Sequence, residues 1–403
     1  MSPSDFSFLP DLPLPLSALA LFGGLLLAGL LGGDLARRAL LPAITGYIAV
    51  GMLLGNTGLR LLTYDLLAQA RVFVDISLGL LLYDLGRRLD LRWLRQDRWL
   101  LASGLTESFA SFALIYAALV LYGISPLFAA IAAAIGISSS PAVVMLIAQE
   151  QRAEGQVTER ALNLVALNSV VAFVVLTMLL SALHYGYSTS WVTVLLHPVY
   201  LLGGSALVGA AAWAVALGLG RWLGKPEDRQ FVMLVALVVL MVGGANALNL
   251  SVVLALLVFG ILVKNIDPRH YVLPLELGGR AQLFFVVLFV VTGAMLDARY
   301  IGTAAGAALA YVAARFIGKA IGVFAWAPLS GIRMQSAALI SLTLTPMAAL
   351  AVIMVQDIWA LYPELDVQAF AVVTSAVVIL ELLGPIAVQF AFKRAGESGA
   401  HQR

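Results

Sequence analysis

The 403-residue chain contains no cysteine. That excludes disulfides and thiolate metal sites and leaves the compartment open. Histidine is scarce too: four residues, none paired at ligand spacing, which argues against a metal centre. Charged residues make up 11% of the chain, against about a quarter in an ordinary globular protein. The opening stretch MSPSDFSFLPDLPLPL has no Lys or Arg, so it does not read as a cleaved signal peptide, and the apolar run from Leu16 is expected to be a retained first span. There is no Walker motif, no G-x-G-x-x-G after a strand and no long polar segment, so no soluble regulatory domain and no ATP-driven machinery are expected. Nothing points to a cofactor, a nucleic-acid partner or an enzymatic centre.

What is present is apolar. Hydrophobic residues make up 62% of the chain and the mean hydropathy is +0.98. A soluble fold has no place to hide that much apolar surface, so the bilayer is the solvent. Hydropathy predicts an all-α, multi-pass protein with about thirteen spans, centred near residues 25, 47, 78, 111, 136, 171, 207, 239, 257, 288, 313, 346 and 380. The third is expected to be short, because it contains Asp75 and Asp84. The eighth and ninth are separated only by the stretch Asn246 to Asn249. With the N-terminus outside, nineteen of the 24 basic residues fall in inside loops, three (Arg60, Arg71 and Arg299) outside, and Arg315 and Lys319 within a span. That bias supports an odd number of spans and a cytoplasmic C-terminus. The Arg87–Arg98 cluster reads as a topology signal with headgroup contact.

Two spans are interrupted at their middle. The fifth reads Ser138-Ser139-Ser140-Pro141 and the twelfth Thr343-Leu344-Thr345-Pro346. Proline removes a helical hydrogen bond and pushes the residue before it toward extended geometry. The freed backbone groups need protein or a cavity to satisfy them, and the neighbouring hydroxyls supply part of that. The two breaks lie seven spans apart, so their helices run in opposite directions. Paired breaks of this kind mark inverted repeats with a binding site near the midplane, and half-helix ends point partial charges at it.

The chain after residue 40 resembles the monovalent cation:proton antiporter superfamily, in the branch of bacterial sodium/proton exchangers and potassium efflux antiporters. The resemblance rests on Gly46 to Gly55 (GYIAVGMLLG), Leu78 to Leu89 (LGLLLYDLGRRL) and the SSSPAVV run from Ser138 with Glu150 and Gly155. It also rests on Arg315-Phe316-Ile317-Gly318-Lys319, Glu381-Leu382-Leu383-Gly384-Pro385 and Lys393 to Glu397, in that order and spacing. It implies one exchanger domain over 1–403 in the plasma (inner) membrane of a bacterium, exchanging Na+ or K+ for H+. It further implies two crossed discontinuous helices, core helices near 99–184 and 300–392, dimerisation helices near 16–85 and 193–297, an elevator-like motion and a homodimer.

One departure matters. The family carries an Asp-Asp or Asn-Asp pair in the span after the first break, and its second Asp binds cation and proton in competition. Here Asn168 fits the first position and Ser169 stands at the second. A hydroxyl coordinates a cation but does not cycle a proton near neutral pH. Three readings stay open. In the first, another intramembrane carboxylate carries the proton, with Glu107, Asp84, Glu381 and Asp75 as candidates. In the second, the fold persists as an uncoupled or anion carrier: with no Asp at 168 or 169, Arg315 and Lys319 need another partner, and Glu107, Glu381, a carbonyl half-helix end or an anionic solute could serve. In the third, the protein is a non-transporting sensor or accessory. The candidate ion-binding residues are Asn168, Ser169, Ser138, Ser139, Ser140, Thr343 and Thr345. Pro141 and Pro346 mark the breaks, and Arg315 and Lys319 are the basic partners.

Overall fold

In a computed structural model, the structure describes residues 18–62, 64–89, 91–92, 97–187, 191–224, 226–267, 271–272, 282–347, 351, 354 and 367–399. The expectation for the opening segment lies outside them. Among the described residues the chain is helical, in the order α1 (Ala18–Arg38), α2 (Ala43–Leu54), α3 (Tyr64–Arg88), α4 (Arg98–Leu121), α5 (Pro126–Ile137), α6 (Pro141–Gln151) and α7 (Gln156–Tyr187). Then follow α8 (Trp191–Leu223), α9 (Glu227–Ala247), α10 (Val252–Ile266), α11 (Gln282–Met295), α12 (Arg299–Trp326), α13 (Met334–Thr343) and α14 (Val367–Ala395).

Nine helical segments among the described residues are long and apolar enough to cross a membrane, with α5 and α6 together forming one of them. Three more, α2, α10 and α11, are apolar but shorter. Twelve of the expected span centres fall within helices, and the remaining one, at residue 346, falls on the second break. The expected short third span is corrected: α3 runs for 25 residues. Its Asp84 is tolerated because Arg87 and Arg88, one turn on, pair with it. The eighth and ninth spans separate where Asn249 takes a left-handed turn (φ 51°) and the Ser251 hydroxyl caps α10 by accepting from Leu254 N.

The chain interrupts its helices where the prolines dictate. Ser125 precedes Pro126 at the start of α5, and α5 ends at Ser138, whose ψ is 140°. Ser140 is extended (ψ 106°) before Pro141, and its hydroxyl accepts from Val143 N to cap α6. α12 packs along α4, and α14 packs against both α12 and α13. Elsewhere α11 packs on α2, and α10 on α3 and α8. The α4–α12 contact is close because Gly318 and Gly322 face it. A Cβ at Gly322 would collide with the Glu107 backbone, and one at Gly318 with Ser111. This G-x-x-x-G spacing, with Lys319 inside it, lets two membrane helices meet backbone to backbone.

Candidate ion-binding site at the helix crossing

The two breaks touch. Ser140 N donates to Pro346 O at 2.9 Å, and Ser139 Oγ donates to Leu344 O at 2.8 Å. The two half-helices α5 and α13 therefore bring their C-terminal carbonyls, with their partial negative charge, to one buried place. The hydroxyls at the breaks largely serve their own half-helices. Ser138 Oγ donates to Ile135 O at 2.9 Å, Thr343 Oγ1 to Ile340 O at 2.6 Å and Thr345 Oγ1 to Leu342 O. Their oxygens keep lone pairs for a further partner.

Arg315 answers the concentration of carbonyls. Its Nε donates to Gly136 O (2.9 Å), Nη1 to Thr345 O (2.7 Å) and Nη2 to Ser138 O (2.8 Å). Nη2 also lies 3.3 Å from both Ser139 Oγ and Pro346 O. One guanidinium thus clamps both interrupted helices, which its rigid fork of donors suits. Beside it, one turn along α12, Lys319 Nζ donates to Ile137 O at 2.8 Å and to Glu107 Oε2 at 2.9 Å. Glu107 and Lys319 are 0% and 1% exposed at their side chains, so this ion pair is fully dry.

Asn168 on α7 joins the pair to the break. Its Nδ2 donates to Glu107 Oε1 at 2.9 Å and to Ser139 Oγ at 3.2 Å, while its Oδ1 accepts from Ser139 N at 3.1 Å. The network runs from Lys319 through Glu107, Asn168 and Ser139 to Leu344, across three helices and both breaks. An ion pair at this depth survives only with such extra hydrogen bonds, because desolvation is costly.

The structure brings together Asn168, Ser138, Ser139, Ser140, Thr345, Pro346, Arg315, Lys319 and Glu107. It treats the others differently. Ser169 is buried beside Asn168, but its hydroxyl donates to Val165 O at 2.7 Å, one turn back on its own helix. Asp84 sits at the end of α3 with Arg87 at 3.4 Å and Arg88 at 4.0 Å, and Asp75 is half-buried on the same helix. Glu381, on α14, is fully buried, and neither carboxyl oxygen has a hydrogen-bond partner among the described residues. Of the partners the sequence left open for the two bases (Glu107, Glu381, a half-helix carbonyl end or an anionic solute), the structure supplies the first and the third. Lys319 has Glu107, and Arg315 has carbonyl dipoles, so the crossing is not a bare positive site.

Sequence reading missed the glycine seam of α12 that admits Glu107, although Gly318 and Gly322 carried its signal. It also missed Gly384. A Cβ there would lie 2.7 Å from Pro346 Cα, so α14 abuts the second break.

A family model described as sodium/hydrogen exchanger, transmembrane, matches residues 20–394. Among solved structures, one of the sodium proton antiporter MjNhaP1 from Methanocaldococcus jannaschii at pH 8 superposes with a TM-score of 0.70 at 14% identity, covering 94% of this chain and 98% of that one. An electron-microscopy structure of the same antiporter gives 0.68 at 15% identity, covering 94% and 96%. No curated protein matches in sequence. With nearly the whole chain inside the family model, this protein belongs to the sodium/hydrogen exchanger transmembrane family.

Proposed function

We propose that the protein is a secondary antiporter that exchanges a monovalent cation, Na+ in the first place, for H+ by alternating access. The observation that carries this reading is the dry Glu107–Lys319 pair tied through Asn168 to both broken helices. A cation entering the crossing meets carbonyl and hydroxyl oxygens and a carboxylate whose charge is already balanced by Lys319. For the site to keep that balance, the cation's arrival must release a proton from the Glu107–Lys319 pair. The pair thus holds one proton more when empty than when filled. The family description favours Na+ over K+. The core of α4 to α7 with α12 to α14, moving against a dimerising scaffold of α1 to α3 and α8 to α11, is the unit on which this exchange would run. The N-terminus faces outward in the plasma membrane on this reading.

The test is a proteoliposome with a pH dye inside. A proton gradient is imposed and Na+, K+ or Li+ is added in turn. Collapse of the gradient on adding cation, lost in Glu107→Gln, supports the exchange. If wild-type vesicles holding folded protein ignore every cation, the antiport reading falls.

A further inference from the structure

Glu381 takes no part in the network just described, yet it is built as carefully. It is 0% exposed, and both of its carboxyl oxygens lack a hydrogen-bond partner among the described residues. Four residues on stands Pro385, inside α14. An α-helix closes each turn by a bond from N–H to the carbonyl four residues back, and proline has no N–H to give. The carbonyl of Glu381 is therefore the one that loses its ladder donor. Side chain and main chain of a single residue put three acceptor oxygens on one turn of α14.

That place is the transport core. Gly384, one turn beyond Glu381 and on the same face of α14, lies against Pro346 of the second break. Two turns before Glu381 on that face, Thr374 Oγ1 is buried and also lacks a hydrogen-bond partner among the described residues.

Among the described residues no counter-charge supplies the missing partner. On α12, Arg315 is spent on carbonyls, Lys319 on Glu107 and Ile137 O, and the Tyr311 hydroxyl donates to Ala132 O at 3.0 Å. On α6, Glu150 is bound to Arg37, and on α7 Arg160 is bound to Asp97 while Glu159 sits at the helix start. α2 offers only Tyr47, α5 and α13 carry no titratable side chain, and Lys393 and Arg394 of α14 lie three turns away. An ionised carboxylate with neither donor nor counter-charge is very costly in such surroundings. A proton on the carboxyl removes that cost, and so does a bound cation.

We propose that Glu381 is a second proton-binding group of the transport core. There a monovalent cation competes with the proton for the carboxyl oxygens and for the carbonyl that Pro385 leaves without its donor. Each cation bound at this carboxyl displaces one proton. The inference rests on the exchange reading above for its role in transport. The proton site itself can be read without transport.

The experiment follows the C=O stretch of protonated carboxyls by infrared difference spectroscopy on the reconstituted full chain, with and without Na+, beside the dye assay. The expected result is a protonated-carboxyl band that Na+ removes, absent in Glu381→Gln and retained at a shifted position in Glu381→Asp. The pH profile of exchange changes in Glu381→Gln and is rescued toward wild type in Glu381→Asp. An unaltered band or a superimposable pH profile in Glu381→Gln overturns the proposal. Should Glu381→Gln fail to fold, Pro385→Ala carries the test. By returning an N–H to the Glu381 carbonyl it should raise several-fold the Na+ concentration needed to remove the band, and an unchanged concentration overturns the shared site. If wild type moves no protons but shows the Glu381 band, the antiport reading falls while the proton site stands.

Discussion

Two regions of this protein use glutamates to hold together helices far apart in sequence, and they do it on opposite terms. At the crossing, Glu107 of α4 meets Lys319 of α12, 212 residues away, with Asn168 filling its other oxygen. At the end of the bundle where α1, α6 and α14 finish, Glu150 accepts from Arg37 Nε at 2.8 Å and Ala43 N at 3.2 Å. Nearby, Glu397 accepts from Val157 N, Thr158 N and Thr158 Oγ1, each at 2.8 Å. These end carboxylates sit on the first turns of α2 and α7, where free N–H groups and the positive end of the dipole welcome them. They need no matching charge, and Arg37 is half exposed. At the crossing Glu107 and Lys319 are shut off from solvent, so each charge there must find its answer in the protein. The same residue type is a helix cap in one region and half of a buried, charge-compensated pair in the other.

The sharpest way to break that comparison is to remove one charge from the crossing. Lys319→Ala leaves Glu107 buried and uncompensated, and should cost about 3–5 kcal/mol in unfolding measurements in detergent, or force the carboxyl to take up a proton. The double variant Lys319→Met with Glu107→Gln removes both charges and should recover most of that stability while remaining inactive. If the single variant is as stable as wild type at neutral pH and keeps its exchange, the pair does not set the charge balance of the crossing.

A smaller effect is expected when the charge is kept and its geometry changed. Arg315→Lys retains a cation but replaces the fork that reaches Gly136, Ser138 and Thr345 with a point charge. Losing one or two charge-assisted hydrogen bonds at about 1.5–3 kcal/mol each should slow exchange by about tenfold or more while the protein stays folded. Exchange at the wild-type rate would mean that net charge alone, and not the clamp, sets the crossing.

The contrast also marks how far the sequence could be read. The helices, the two breaks and their opposed directions are local features: apolar length, Ser138-Ser139-Ser140-Pro141, Thr343-Leu344-Thr345-Pro346. They were legible because proline and hydropathy act within a few residues. Asn168, Arg315 and Lys319 were legible through resemblance. The pairing was not. Nothing in the order of residues says that Lys319 meets Glu107 while Arg315 meets carbonyls, because both outcomes need only a base one turn from another base on α12. What decides it is the approach of α12 to α4 at Gly322, which puts Lys319 over Glu107 and leaves Arg315 over the breaks. Ser169 was named from its position in the motif; its hydroxyl donates to Val165 O, as serine in a helix often does, and that leaves its oxygen lone pairs open as at the break hydroxyls.

At the other region, Glu397→Ala tests whether the end carboxylates are only caps. The change removes three hydrogen bonds at the start of α7, and exposes Val157 N and Thr158 N to whatever solvent or headgroup replaces the carboxylate. The main-chain tie, Glu154 N to Glu397 O at 3.0 Å, survives the substitution. Losing a cap of this kind typically costs about 1 kcal/mol, so unfolding in detergent should shift by an amount well below that of Lys319→Ala. Exchange in proteoliposomes should keep its pH profile, because no charge at the crossing has changed. A loss of stability rivalling that of Lys319→Ala, or a shifted pH profile, would erase the distinction between the two regions. The Ala153 to Ser398 bridge, which ties the end of α14 to the turn after α6, would then have to be counted as a working part of the exchange rather than as its frame.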